Sequence, residues 1–177
     1  MVTSKSKTKL NSYRAIFLYS LIFILIRLFT SRYGMTFDEA EQFLDAKNYV
    51  LGYSDQPPLY SWILKTVSYV FGLNITMMIL VYHSIVIGFL IYLYKITNLV
   101  FESEKKALYC FLSYALFFIY SYDFYRYTIH TALMMLFCVL SLYVYLKIYY
   151  QKDSWLNYFL LGSCFALGLL SKYNFIF

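Results

Sequence analysis

Charge is what this sequence has least of. Charged residues make up 14% of the 177 positions, against about a quarter in a soluble domain. That shortage excludes an ordinary water-soluble globule as the object to look for. Proline is nearly missing too, with only Pro57 and Pro58, side by side. No Gly-, Pro- or Ser-rich stretch separates one half of the chain from the other, so no linker divides it, and no internal repeat is visible. The three cysteines, Cys110, Cys138 and Cys164, each sit alone in an apolar block. None has C-x-x-C spacing or a neighbouring histidine, which excludes a zinc site or disulfide framework and leaves them as small apolar fillers.

What is present is hydrophobic: 62% of residues, including 22 Tyr and 17 Phe. Part of this tyrosine content suits the two membrane interfaces, where a ring with a polar tip is favoured. The rest reads as compositional bias rather than an aromatic cage. The apolar residues fall in blocks near the ~20 residues a spanning helix requires. The first runs about 15–30, the second 74–94 with His83 inside it, the third about 107–122, the fourth about 127–145, and the fifth from about 155 to the end, broken by Lys172. The basic start followed by an apolar run resembles a signal peptide, but Ser31-Arg32-Tyr33 offers no small-residue cleavage pattern. The block is read as a retained first span, with Arg27 snorkelling to its outer edge. The expected architecture is therefore all-α: a polytopic helical bundle of about five spans forming one domain over 1–177.

Orientation follows from where the cations lie. With the N-terminal tail (1–14) inside, short inner segments hold Lys5, Lys7, Lys9, Arg14, Lys95, Lys105, Lys106, Lys147 and Lys152, nine of the 15 basic residues. Six of the nine acids, Asp38, Glu39, Glu41, Asp45, Asp55 and Asp123, then fall outside. This accounts for the net charge of +6 without nucleic acid, for which no basic stripe interleaved with aromatics is present. The chain ends at Asn174-Phe175-Ile176-Phe177 inside an apolar block, which raises the expectation of an N-terminal piece of a longer protein or a truncated, inactive product.

The long outer loop, 31–73, carries the polar chemistry. Thr36 followed by Glu39 forms a capping-box pattern and predicts a helix start. Asp38, Glu41, Asp45 and Asn48 recur at helical steps, with Ala40, Phe43, Leu44, Val50 and Leu51 filling much of the rest. The pattern predicts an amphipathic helix along the membrane surface, ended by Gly52. Pro57 at a first helical position predicts a second surface helix, whose apolar side is Leu59, Trp62, Ile63, Thr66, Val67 and Val70. Tyr60 and Trp62 suit an interfacial depth. The acids have two open readings. Glu39 closes the capping box and Asp38 favours the helix dipole, or one of them does proton chemistry. Asp55 is equally a turn residue.

Three segments in this order, FDEAEQF (37–43), GYSDQPPLYSW (52–62) and GLLSKYNF (168–175), resemble the GT-C glycosyltransferases that use polyprenyl-phosphate sugars. The branch is the group similar to protein mannosyltransferases and the lipid A aminoarabinose transferase. The resemblance covers essentially the whole chain and the N-terminal third or so of a typical member.

It implies an inverting transfer of a sugar from a polyprenyl-phosphate donor to a lipid, glycan or protein acceptor. The reaction takes place at the outer face of a bacterial cytoplasmic membrane, among membrane lipids. It implies Asp38 as catalytic base with Glu39 in support, and Asp55, Gln56, Lys172 and Arg126 against the substrate, the two cations meeting the leaving phosphate. Some members use a divalent metal nearby. His130 is a candidate ligand, or else a buried polar residue, as His83 is read to be. Lys172 within an apolar block is a functional candidate by default; its other reading is a snorkelling cation at the span's end.

The chain departs from the family pattern at two places. Gln56 stands where many members carry a cation before Pro-Pro, and Thr128-Ile129-His130 where many have Thr-Pro-Asp. The rival class is a non-catalytic membrane protein, a transporter or assembly subunit. A transporter would more often show Gly/Pro-broken helices and paired intramembrane charges, and few of either are present.

Overall fold

A computed structural model describes residues 2–31, 34–53, 56–116, 129–150 and 154–176. Among the described residues all regular structure is helical. In order these are α1 (Val2–Thr30), α2 (Phe37–Asp45), α3 (Leu59–Phe71), α4 (Ile75–Phe101), α5 (Glu104–Leu116), α6 (Ile129–Tyr150) and α7 (Trp155–Ser171), followed by a 3-10 turn, Tyr173–Ile176. Stretches Ser12–Thr30, Ile75–Phe101 and Ile129–Tyr150 are long and apolar enough to cross a membrane. α7 is apolar but has 17 residues, and α5 has 13; the rest of the third apolar block lies outside the described residues. Among the described residues the structure thus supports a membrane protein with three helices of full spanning length.

α4 is the central element. It packs against α1, α3, α5 and α6, and α6 packs in turn on α7. Its side chains Met77, Met78, Tyr82, Ile85, Val86, Phe89, Leu90 and Tyr94 form the spine of the core. Small residues let spanning helices approach closely. At Gly88 an added Cβ would lie 3.3 Å from Leu136 of α6. The opposite side of α1, including Phe17, Ile22 and Phe29, is exposed, as expected of a face toward lipid or another helix.

Helix polarity is fixed by contacts at both ends. Near one end the rings of Tyr13 and Tyr94 meet edge to face at 5.4 Å, and those of Tyr92 and Tyr143 at 5.3 Å. At the other end the last turn of α1 meets the early turns of α4 and α6. α1 therefore runs antiparallel to α4, and α4 parallel to α6.

The segment between α1 and α4 is a built structure. The predicted capping box is present: Thr36 Oγ1 accepts from Glu39 N (3.3 Å) and Glu39 Oε2 accepts from Thr36 N (2.8 Å). The helix it starts ends at Asp45, capped at Ala46, and not at Gly52. Residues 47–53 instead form an irregular strap tied to α3. Trp62 Nε1 donates to Val50 O (2.8 Å), Lys65 Nζ to Lys47 O (2.8 Å), and the Tyr49 and Thr66 hydroxyls meet at 3.0 Å. α3 starts after the Pro pair, with Pro58 as its N-cap. It closes at Gly72, whose φ of +70° disfavours any side chain. Asn74 then caps α4 by accepting from Met77 N at 2.9 Å.

α3 packs Leu59, Ile63 and Val67 of its expected apolar side against the core and buries Tyr60, Ser61 and Leu64 beside them, while Val70 is 77% exposed; Tyr60, expected at an interface, is 1% exposed and belongs to the core. α2 buries Glu39 and Gln42 and leaves Phe37 85% exposed. Its polar side faces the bundle because Glu39 and Gln42 both find partners there.

Candidate functional site

The site is assembled where the ends of α1, α2, α3, α6 and α7 converge on the first half of α4. Arg27 lies in the last turn of α1. It was expected to snorkel outward. Instead its Nη2 donates to both carboxylate oxygens of Glu39, and each side chain is only 11% exposed. The reason is local: the capping box holds Glu39 on the inward face of α2, directly opposite the α1 terminus. Glu39 therefore has its oxygens occupied by Arg27 and by Thr36 N. Gln42, one turn on, is buried and accepts from Ser61 Oγ at 2.9 Å. These two contacts lock α2 onto α1 and α3.

Below this pair is a cavity of about 20 Å³, room for about one water. Its lining includes Arg27, Glu39, Tyr60, Tyr82, His83 and Ile129. His83 Nδ1 is 2.8 Å from Ile79 O, so this ring belongs to the site's wall, where the sequence read it as an incidental mid-span histidine. Burial pushes the Tyr60 phenol well above its ordinary range, with Tyr82 and Glu39 nearby adding to the shift. The Tyr60 ring meets that of His130 edge to face at 5.5 Å, which extends the site to the first turn of α6. There Lys172, the residue after α7, reaches across, and its Nζ donates to Thr131 Oγ1 at 2.8 Å. It is partly buried and directed into the bundle, where a snorkelling lysine would point outward.

Asp38 sits one residue before Glu39 in the first turn of α2, and unlike Glu39 it is exposed. Successive helical residues are turned ~100° apart, so locking Glu39 inward forces Asp38 outward. Gln56 is half-buried beside the buried Pro57-Pro58 corner. Asp55 and Arg126 lie outside the described residues. The structure thus brings Glu39, His130 and Lys172 toward one end of the bundle and adds Arg27, Tyr60 and His83 to them. Arg27 had a legible signal, a cation at the end of an apolar run ahead of an Asp-Glu pair. Tyr60 had none among 22 tyrosines.

Among the described residues no three of His, Cys, Asp or Glu converge to hold a metal ion. Glu39, the buried acid, has both oxygens engaged.

The model of the dolichyl-phosphate-mannose-protein mannosyltransferase family matches residues 55–177. The chain belongs to that family, within the GT-C glycosyltransferases. Two proteins of Rhizobium johnstonii are similar to it, the lipopolysaccharide core galacturonosyltransferases RgtB and RgtA. Each is 30% identical over 159 residues, covering 89% of this chain and 31% of the relative. The chain therefore spans about a third of the length of these relatives. No solved structure matches it.

Proposed function

We propose that this chain carries the acceptor-activating end of a GT-C glycosyltransferase. The reaction moves a sugar from a polyprenyl-phosphate donor to an envelope acceptor at the outer face of the bacterial cytoplasmic membrane. The observation that carries this reading is the division between two adjacent carboxylates. Glu39 is buried, neutralised by Arg27 and spent on structure. Asp38 is exposed at the start of a helix clamped to the bundle. A carboxylate held in place but open to substrate is what a general base requires.

In the proposed step the acceptor hydroxyl oxygen attacks the anomeric carbon as Asp38 takes its proton. The bond from that carbon to the phosphate oxygen breaks, and the phosphate leaves with the electron pair. Attack from the face opposite the leaving group inverts the centre. Lys172, at the same end of the bundle, meets the charge that develops on the phosphate. Tyr60 and His83 line the wall beneath. The names of the Rhizobium relatives make a uronic-acid donor and a lipopolysaccharide-core acceptor the first pair to assay. The test is Asp38→Asn in the full-length protein, read as the mass of the glycosylated acceptor. Loss of transfer supports the reading; transfer at the parent rate removes Asp38 from the mechanism.

A further inference from the structure

We propose that Gly168 is a positioning residue for Lys172, acting through the ring of Phe175. This rests on the reading that Lys172 meets the donor phosphate. α7 ends at Ser171, and the chain folds back at once in the turn Tyr173–Ile176. The Phe175 ring lies where a side chain on residue 168 would be. A Cβ there would fall 2.3 Å from Cζ, 2.4 Å from Cε2 and 2.6 Å from Cε1. Only glycine leaves that space open.

The same residue is gripped from its other side. Gly168 O accepts from Ser171 Oγ at 2.6 Å and from Lys172 N at 3.3 Å. Phe175 N in turn donates to Lys172 O at 3.0 Å, and its ring leans on Phe165 at 6.1 Å. Lys172 is thus held by its own N–H to Gly168 and by its own carbonyl to Phe175. Its extended backbone, φ −160° and ψ 137°, directs the side chain away from α7 and across to Thr131 Oγ1. A lysine has four rotatable side-chain bonds and little preference of its own. The clasp between Gly168 and Phe175 supplies the direction.

An alanine at 168 must expel the Phe175 ring, unpick the turn and free Lys172 to wander. The experiment uses the full-length protein. Transfer kinetics are measured for Gly168→Ala, Lys172→Gln and the double variant. In parallel, Thr131→Cys/Lys172→Cys, in a background with Cys110, Cys138 and Cys164 replaced, is treated with a short bis-maleimide cross-linker, with and without Gly168→Ala. The expected result is a donor KM raised on the order of tenfold in either single variant, the scale of a lost charge-assisted contact. The double variant should be no worse than Lys172→Gln alone, and the cross-link yield should fall when Gly168→Ala is added. An unchanged cross-link yield overturns the clasp whatever the kinetics show. Multiplying KM effects overturn the route through Lys172. A normal donor KM in Lys172→Gln overturns the phosphate reading, while the cross-link still judges the clasp. Phe175→Leu, which adds no bulk to the helix, should shift yield and KM the same way by less; no shift in either counts against the clasp.

Discussion

Replacing Arg27 with methionine keeps most of the side-chain volume but removes the cation, leaving the Glu39 carboxylate facing an apolar helix end. Both partners are 11% exposed, so the small worth of a surface ion pair is the wrong scale. Stranding one charge of a buried pair costs about 3–5 kcal/mol. Removing both charges together, in Arg27→Met/Glu39→Gln, should cost clearly less, because neither charge remains buried. Glutamine at 39 also keeps an oxygen for Thr36 N, so the capping box survives. Losing that box alone, in Thr36→Ala, should cost about 1 kcal/mol. The order expected is therefore Arg27→Met worst, then the double variant and Thr36→Ala. Denaturant unfolding of the detergent-solubilised full-length protein, followed by helical circular dichroism, would measure it. Arg27→Met should also lower transfer although Asp38 is untouched, since α2 loses its anchor on α1. If Arg27→Met costs under 1 kcal/mol, or the double variant equals it, the pair is not a buried latch and the argument about Asp38 orientation fails with it.

Two further outcomes follow from the same geometry. Tyr60→Ala empties a fully buried position between α3 and His130 and should destabilise by about 3–5 kcal/mol; a loss under 1 kcal/mol in the same unfolding assay would show that α3 is not docked there. Leu51 is 90% exposed on the strap between α2 and α3. In a variant whose native cysteines are replaced, Leu51→Cys should react with a membrane-impermeant thiol reagent added to intact cells, and labelling only after lysis would reverse the proposed orientation.

The parts of the fold set by local rules were legible in the sequence. Thr36 and Glu39 are three residues apart, and a capping box needs nothing else. The first, second and fourth apolar blocks were long enough to declare themselves as helices. Local rules could not say which side of a short helix would face the bundle. α2 was read as an amphipathic helix along the membrane surface; that Glu39 and Gln42 are the residues facing the bundle is decided by Arg27 and Ser61, 12 and 19 residues away, which supply their partners. Tyr60 was placed at an interface and instead enters the core, its ring against that of His130. The cations show the same limit. Arg27 was read as a snorkelling end of its span, and Lys172 as a functional cation or else a snorkelling one; each is drawn in by one long-range acceptor, Glu39 or Thr131. In a membrane bundle a single distant polar partner outweighs local amphipathicity, since an unpartnered charge there is costly.

The central claim is that the adjacent carboxylates divide their work, Asp38 for chemistry and Glu39 for structure. It is tested most directly by the rate of sugar transfer in full-length Asp38→Asn and Glu39→Gln, both at a temperature where unfolding shows each variant native. Asp38→Asn should lose about 10²–10⁴-fold, the usual contribution of a general base, with its stability unchanged because the side chain is exposed. Glu39→Gln should lose stability and, because its amide oxygen still accepts from Thr36 N and can accept from Arg27, lose far less rate per folded molecule than Asp38→Asn. Parent-like transfer from Asp38→Asn, or the larger loss falling on Glu39→Gln, would contradict the assignment.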